Sequence, residues 1–596
     1  MKLVRLIKNI IWILKISYSL GPLKFIARIC TIILYATLPI LSFWILKLII
    51  DQAVLSYVSK TTFNNLLYLV GLKIVLDLTW FFLDSLLEGL FKIMRFDLEA
   101  YFSHTVISKL NSMDLGFFED STILDLKQKA LDTYSWRPTE MLNISFWSLY
   151  NLIQVTVQSM IIIQMNPLWL LLLYLFQIPA FLILLKIGQS AWNIWDADST
   201  TRRKFMYFTG LFNNLAYIKE FKLYQVGDYF IEKIQNLLGV FHTNQKNIEK
   251  KRMMYGFSGV LLSNAPMFYI TSSLLVKLIQ KTLTPGLLTF YLNNLQTFAS
   301  SLQNLVKNII YGFEVNLYID EIRRFLELPN KIIDPVKPTV LLLSENKVDI
   351  NFNNISFTYP HSKRPVFKNF SLYINGEKKV AIVGENGSGK TTLIKLLCRF
   401  YDVQKGSITL NGIDIRSISQ IKLHSLFSVL FQDYVGYDLT VKENIAMGSV
   451  IKIGNTNDIK KASQMAGVTE FVNSLPKKYN QLLGATFEGS EQLSIGQWQR
   501  IALAKVFMRN SPIMILDEPT AAVDAKTENE IFNKVMSLIK NKTVVMVSHR
   551  FSTVRQADEI VVIKAGQIIE RGSHDRLMKS NGEYANMFNL QAKGYN

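Results

Sequence analysis

Long apolar runs dominate the first half of the chain and short ones the second. Six stretches, at roughly 25–50, 63–90, 140–165, 168–188, 257–280 and 284–312, are each apolar for about the 20 residues that carry a helix across a bilayer. This predicts six transmembrane helices. Ahead of them, MKLVRLIKNIIWILKISYSLG sets Lys2, Arg5, Lys8 and Lys15 into an apolar pattern. That pattern predicts an amphipathic helix in the membrane interface. It has no small-residue cleavage site, so no cleaved signal peptide is expected.

The connections alternate in character. DQAVLSYVSKTT, MNP and KTLT are short and carry little positive charge. Residues 91–139 hold Lys92, Arg95, Lys109, Lys127, Lys129 and Arg137; residues 189–256 hold Arg202, Arg203, Lys204, Lys219, Lys222 and KRMM. Basic loops stay on the cytoplasmic side. Both termini are therefore expected inside, with two long hairpins projecting into the cytosol.

After the sixth stretch, Pro329, Pro335 and Pro338 forbid a continuous helix and mark a linker. From Val348 the period changes. VDINFNNISFTYP alternates as an edge strand, KKVAIVGENGSGKTTLIKLLCRF reads as a buried strand, a Gly-rich phosphate-type loop and a helix, and SPIMILDEP and KTVVMVSHR read as two more buried strands. The expected organisation is an interfacial helix at 1–22, a membrane domain at 23–325, a linker at 326–347 and a nucleotide-binding domain at 348–596. The fold class is an α-helical polytopic membrane domain joined to an α/β P-loop domain.

Composition agrees. Of 596 residues, 49% are hydrophobic and 19% charged, and mean hydropathy is +0.20. The formal charge of +19 raises the question of nucleic acid. The basic residues form no aromatic-interleaved patch, so cytoplasmic loops account for them and no nucleic-acid partner is expected. Cys30 and Cys398 imply neither a disulfide framework nor a metal site.

Gly384-Glu385-Asn386-Gly387-Ser388-Gly389-Lys390-Thr391 follows a strand and opens a helix. In that setting glycines let backbone N–H groups reach phosphates, Lys390 reaches the β/γ oxygens, and Thr391 offers its hydroxyl to Mg²⁺. Asp517 and Glu518 close an apolar strand. Such a pair also ends strands in many α/β proteins; the phosphate loop upstream favours a metal ligand at Asp517 and a water-activating base at Glu518. His549 ends another buried strand, where ligands of α/β folds lie. Ser494 and Gly496 open a helix that would make a second phosphate-binding N-terminus.

Phosphate loop, LFQD, LSIGQ, ILDEP, AAVD and SHR occur in this order along the chain. The set resembles the ABC transporters, specifically half-transporters of the exporter type with six spans before one nucleotide-binding domain. The resemblance implies ATP and Mg²⁺ as cofactors. It implies that Tyr359 stacks on adenine and that Gly384 to Thr392, including Thr392, hold the phosphates. It implies that Gln432 senses Mg²⁺ and the γ-phosphate, and that Asp517 and Thr391 serve the metal. Glu518 would be the catalytic carboxylate, His549 the γ-phosphate contact, and Asp524 a residue of the dimer seam. Ser494, Gly496 and Gln497 of LSIGQ would complete the ATP site of a partner chain. A homodimer is then expected, with a heterodimer as the alternative. Ile495 stands where glycine is commonest, and TFEGSEQ departs from the usual exporter form before the signature.

Within the family, LFQDYVGYDLTVKENI, QLSIGQWQRIALAK with its Trp498, and YIKEFKLYQVGDYFI resemble lantibiotic exporters. About 25 residues precede the first span, so no peptidase domain is expected there. The implied activity is ATP-driven export of a cationic amphipathic peptide across a bacterial plasma membrane, with the nucleotide-binding domain in the cytoplasm. The alternative is export of lipids or hydrophobic drugs. SMDLGFFEDSTILDLKQKA (112–130) and YIKEFKLYQVGDYFIEKI (217–234) are the expected coupling elements. Lys73, Asp77, Asp84 and Glu88 fall within about 60° on one helix face. They read either as an acidic stripe along the pathway or as a Lys73–Asp77 pair with two carboxylates in water.

Overall fold

The computed structural model describes residues 2–59, 63–179, 182, 199–341, 347–360, 362–376, 378–518, 542–548 and 550–593. The chain divides into two compact units, Met1–Met113 with Ser121–Pro329, and Asp114–Asp120 with Asn330–Asn596.

The first unit is helical: α1 (Lys2–Leu20), α2 (Pro22–Ser59), α3 (Phe63–Ser112), α4 (Ser121–Thr133), α5 (Arg137–Met165), α6 (Pro167–Pro179), α7 (Ser199–Leu211), α8 (Leu215–Tyr224), α9 (Gly227–Ile279) and α10 (Pro285–Leu326). The 53 residues of α9 extend about 80 Å at 1.5 Å per residue, far beyond a hydrocarbon layer of about 30 Å. Four described helices are long and apolar enough to cross a membrane: Pro22–Ser56, Asn64–Ser112, Arg137–Met165 and Lys246–Ile279. The expected fourth span begins in α6 and runs on outside the described residues. The expected sixth lies in α10, where Asn293, Asn294, Gln296, Ser300, Ser301, Gln303 and Asn304 dilute an otherwise apolar helix. Thr284 caps α10 by accepting from Leu287 N–H, and Pro285 opens it.

One core joins Leu6 and Ile13 of α1, Leu98 and Phe102 of α3, Met141 and Leu142 of α5, and Val315 and Ile319 of α10. A second gathers Val155, Ile162, Ile270, Leu295 and Phe298. Asn9 is fully buried and fully used. Its Nδ2 donates to Asn316 (2.9 Å) and Asp320 (2.6 Å), and its Oδ1 accepts from Arg323 (3.0 Å). Leu3, Val4, Ile7 and Ile11 of the same helix are exposed. The exposed face thus mixes these apolar side chains with Arg5, Lys8 and Lys15, as suits a helix in a membrane interface. Lys73 Nζ meets Asp77 Oδ2 at 2.6 Å, and Ser42 donates to Asp77 Oδ1 at 3.0 Å, so the upper end of the stripe is a compensated pair.

The second unit holds two sheets. Strands β1 (Ile350–Phe357), β2 (Phe367–Ile374), β3 (Lys379–Val383), β4 (Lys405–Leu410), β5 (Ile413–Asp414), β6 (Phe427–Leu430), β7 (Ile513–Asp517), β8 (Thr543–Val547), β9 (Glu559–Lys564) and β10 (Gln567–Gly572) form an antiparallel sheet ordered β2-β1-β4-β5 and a sheet ordered β10-β9-β3-β8-β7-β6. In the latter every pair but β9–β10 is parallel. β7 and β8 are buried throughout, as a strand covered on both faces must be. Alternate residues of β7 divide between two cores: Met514 and Leu516 join Leu430 and Leu503, while Ile513 and Ile515 join Phe352 and Leu397.

Residues 114–120 belong to this unit. Leu115–Phe118 form a 3₁₀ turn with Phe117 buried. Asp114 Oδ2 accepts from Lys331 N–H (2.5 Å) and Ile332 N–H (3.1 Å), and Glu119 pairs with Lys395 at 3.6 Å. The linker is also fastened by Arg399, which donates to Ile333 O at 3.1 Å.

Candidate nucleotide site

The C-terminal ends of β3, β8 and β7 lie side by side, and the loops that leave them carry the predicted chemistry. Gly384 has φ 154° and Gly389 φ 106°. A Cβ on Gly384 would stand 2.1 Å from Ile563 O, and one on Gly389 2.6 Å from the Phe367 ring. Only glycine lets the loop fold this tightly. Glu385, Asn386 and Gly387 form its exposed tip, whereas Ser388, Gly389 and Lys390 are buried.

Lys390 Nζ donates to Gly384 O (2.8 Å) and Glu385 O (2.9 Å). Burial lowers its pKa, against the pull of Glu518 and Asp517. It begins the loop helix (Lys390–Leu397). Thr392 on the same turn is buried and shares a 3.1 Å hydrogen bond with the Tyr359 hydroxyl. Tyr359 also stands edge-on to Tyr401 at 5.4 Å and below Lys395 at 5.6 Å.

Asp517 is 1% exposed. Burial, followed by the neighbouring Glu518, pushes its pKa up to about 6, and a hydrogen bond from Thr391 opposes the rise. Asp517 Oδ2 and Ser388 Oγ are buried without a hydrogen-bond partner among the described residues. A free carboxylate oxygen beside a threonine hydroxyl is the hard oxygen donor set that suits Mg²⁺, which keeps waters and phosphate as its other ligands. Among the described residues no three His, Cys, Asp or Glu cluster as a metal cage. Glu518 has φ 51°, its N–H donates to Val547 O at 2.8 Å, and its Oε2 accepts from Gln432 Nε2 at 2.8 Å. A glutamate held in the left-handed region is strained backbone of the kind that collects at functional positions. His549 and Asp524 lie outside the described residues.

Ser494 caps the signature helix (Ile495–Arg509) in a reciprocal box: Gln497 N–H donates to Ser494 Oγ at 3.3 Å, and Ser494 N–H to Gln497 Oε1 at 2.9 Å. Gly496 falls in its first turn, and Ile495 is exposed. Residues to which the sequence motifs assign no role bind this helix to the segment after Gln432. Tyr434 Oη donates to Ile495 O at 3.0 Å, Trp498 packs on the backbone of Gly436, and Lys505 Nζ donates to Val435 O at 2.5 Å. These partners are more than 60 positions apart in the chain and share no motif.

Residues 367–521 match the ABC transporter family. The chain is 27% identical to the subtilin transport ATP-binding protein SpaT of Bacillus subtilis, over 89% of this chain and 88% of that one. It is 27% identical to the nisin transport ATP-binding protein NisT of Lactococcus lactis subsp. lactis, over 85% and 84%. The chain carries an ABC transporter domain within the architecture of an exporter. An ATP-dependent lipid A-core flippase of Idiomarina loihiensis is 40% identical to the exporter over 41% of this chain and 42% of that one. A bacterial Atm1-family ABC exporter solved with ATP bound shares the fold at a TM-score of 0.81 and 23% identity, over 95% of this chain and 98% of that one. The exporter therefore joins a helical transmembrane domain to an ATP-binding domain whose ATPase activity is coupled to transport.

Proposed function

We propose that the exporter moves a cationic amphipathic peptide of the lantibiotic class outward across a bacterial plasma membrane, as a homodimer with both ATP sites working. The observation that carries the cargo is extent: the relatives named for subtilin and nisin transport align over most of the chain, membrane domain included. The flippase matches reach higher identity but cover less than half of it, and they support lipid or drug export as the second reading.

ATP lies along the loop after β3. Gly384 to Gly389 turn backbone N–H groups to its phosphates, Lys390 leaves its loop carbonyls for the β/γ oxygens, and Tyr359 stacks on adenine. Thr391 and Asp517 would hold Mg²⁺, which when bound would draw negative charge from the phosphates. Gln432 positions the carboxylate of Glu518, which takes a proton from the attacking water. Ser494, Gly496 and Gln497 offer a capped helix N-terminus to the γ-phosphate bound by the partner chain. One chain carries both kinds of half-site, which favours two identical subunits. His549 and Asp524 keep the roles that the resemblance implies. Residues 112–130 and 217–234 are the two coupling elements of this reading; inside the second unit, Asp114 ties the 3₁₀ turn to the linker backbone.

The test is ATPase activity of the full chain in lipid nanodiscs, wild type beside Glu518→Gln, titrated with a cationic lanthionine peptide and separately with hydrophobic drugs. Stimulation by the peptide alone, absent in Glu518→Gln, is expected. Stimulation by drugs alone would favour the second reading, and an inactive wild type under every ligand would overturn the homodimer.

A further inference from the structure

A cavity of about 180 Å³ opens among α2, α3 and α5, lined by Arg28, Asp84, Glu88, Lys92, Arg95 and Trp147 among others. Arg28, one of the lining residues, is 3% exposed. Its guanidinium lies 4.9 Å from the ring centres of both Phe91 and Phe146, and its Nη1 donates to Leu87 O. Its Nε has no hydrogen-bond partner among the described residues. An N–H of a buried guanidinium is costly to leave unmatched in an apolar surrounding. Around this cation stand Glu88, which attracts it, and Asp84, which accepts from the Tyr35 hydroxyl. Lys92 is exposed at the rim, and Arg95 is held by Glu99 at 2.6 Å.

The lining excludes simple ligands. A lone anion would meet Asp84 and Glu88, and a lone cation would meet Arg28 and Lys92. A group carrying both charges satisfies all four. Drug-sized pockets run to roughly 300–1,000 Å³, so this cavity suits a headgroup and is too small for a peptide segment. Its neighbourhood is apolar. Phe82, Leu86, Ile93 and Phe96 of α3 are exposed, and at about 100° per residue they form a stripe whose edge borders Lys92. Headgroup pocket and acyl-chain surface are therefore contiguous.

We propose that this cavity holds the zwitterionic headgroup of a phospholipid, with its phosphate on Arg28 and Lys92 and a primary ammonium on Asp84 and Glu88. The charge pattern of the loops places it in the cytoplasmic leaflet. A primary ammonium gives N–H donors to both carboxylates, which a quaternary one cannot. The lipid is a resident ligand, independent of whether the cargo is peptide or drug. Asp84 and Glu88 then serve the lipid and are not a free acidic track for a cationic cargo.

The full chain in detergent is titrated with short-chain phosphatidylethanolamine, phosphatidylcholine and phosphatidylglycerol, and bound lipid is counted by native mass spectrometry. Phosphatidylethanolamine is expected to bind about tenfold more tightly than the other two, the worth of one charge-assisted hydrogen bond. Glu88→Gln should erase the preference over phosphatidylcholine. Lys92→Gln should weaken both zwitterionic lipids alike, and Lys92→Arg should restore them. Unchanged thermal unfolding midpoints show that these exposed-site variants fold. Glycerophosphoethanolamine should compete, which assigns recognition to the headgroup. Equal binding of the three lipids by wild type, or indifference to Glu88→Gln, would overturn the proposal. So would displacement of bound lipid by a cationic lanthionine peptide in a Glu88-dependent way, which would make the cavity a cargo site.

Discussion

Gln432 Nε2 donates to Glu518 Oε2 at 2.8 Å, across 86 residues of chain. The bond holds a carboxylate whose own backbone sits at φ 51°, so the side chain is aimed from two directions. Replacing Glu518 by Gln removes the proposed general base and is expected to lower hydrolysis by about 10²–10⁴-fold while ATP binding stays intact. Gln432→Ala removes one hydrogen bond to a charged group and is expected to cost about 10–100-fold. Phosphate release and nucleotide binding, measured on the same full-length samples, separate the two effects. Loss of binding in Glu518→Gln would show that the carboxylate is structural.

Gly436 and Trp498 fit each other with no room to spare. A Cβ on Gly436 would come within 2.7 Å of the indole ring, so Gly436→Ala must push the signature helix away. Overpacking of this kind costs about 1–3 kcal/mol. The ATPase rate of Gly436→Ala is therefore expected to fall, and Trp498→Leu in the same chain to recover much of it. A double-mutant cycle reads the coupling directly. Additive losses would mean that the contact carries nothing between Gln432 and the signature.

The pieces of the site that lie within one motif were legible before any coordinates. The strands β3, β7 and β8 are unbroken apolar runs, and Lys390, Asp517 and Glu518 fall at or just after the ends of β3 and β7, side by side in the sheet. Contacts between motifs were not legible, because nothing in a periodicity says which distant backbone a side chain will meet. Trp498 stood out in the chain, but not the glycine beneath it. Asp84 and Glu88 read either as part of an acidic stripe or as carboxylates in water, because one helix shows only its own charges; Arg28 comes to them from α2. Likewise Ser42 completes the Lys73–Asp77 pair from a different helix.

Asp51, two turns before the end of α2, accepts Gly286 N–H at the start of α10, at 3.0 Å. Close by, Trp44 meets Phe290 edge-on at 5.4 Å. A Cβ on Gly286 would stand 2.3 Å from Lys47 O. Asp51→Asn keeps an acceptor and loses only the charge at a helix N-terminus, about 0.3–1 kcal/mol. Gly286→Ala must push the α2 and α10 backbones away from each other, about 1–3 kcal/mol. Heat-inactivation midpoints of the detergent-solubilised chain should fall more in Gly286→Ala than in Asp51→Asn. The reverse order would mean that charge, rather than close fit, joins these helix ends.

Lys505 gives a pH dependence with a defined sign. Its Nζ donates to Val435 O and lies 4.7 Å from the Tyr437 ring centre. Burial pushes its pKa from 10.5 down to about 8. Below that value the folded and unfolded chains both hold the proton, and the folded chain bears the desolvation cost. Between about 8 and 10.5 the folded chain releases the proton while the unfolded chain keeps it, so this lysine's contribution to stability grows as pH rises through the window. The growth cannot exceed about 1.4 kcal/mol per pH unit, and water left on the side chain reduces it further. Lys505→Met removes the group that titrates. The difference in unfolding midpoint between wild type and Lys505→Met should move in favour of wild type as pH rises through that window. It should be flat below it. Parallel profiles across the whole range would show that the ammonium is as well solvated in the folded chain as in the unfolded one, and that its hold on the Gln432 segment is not a buried charge.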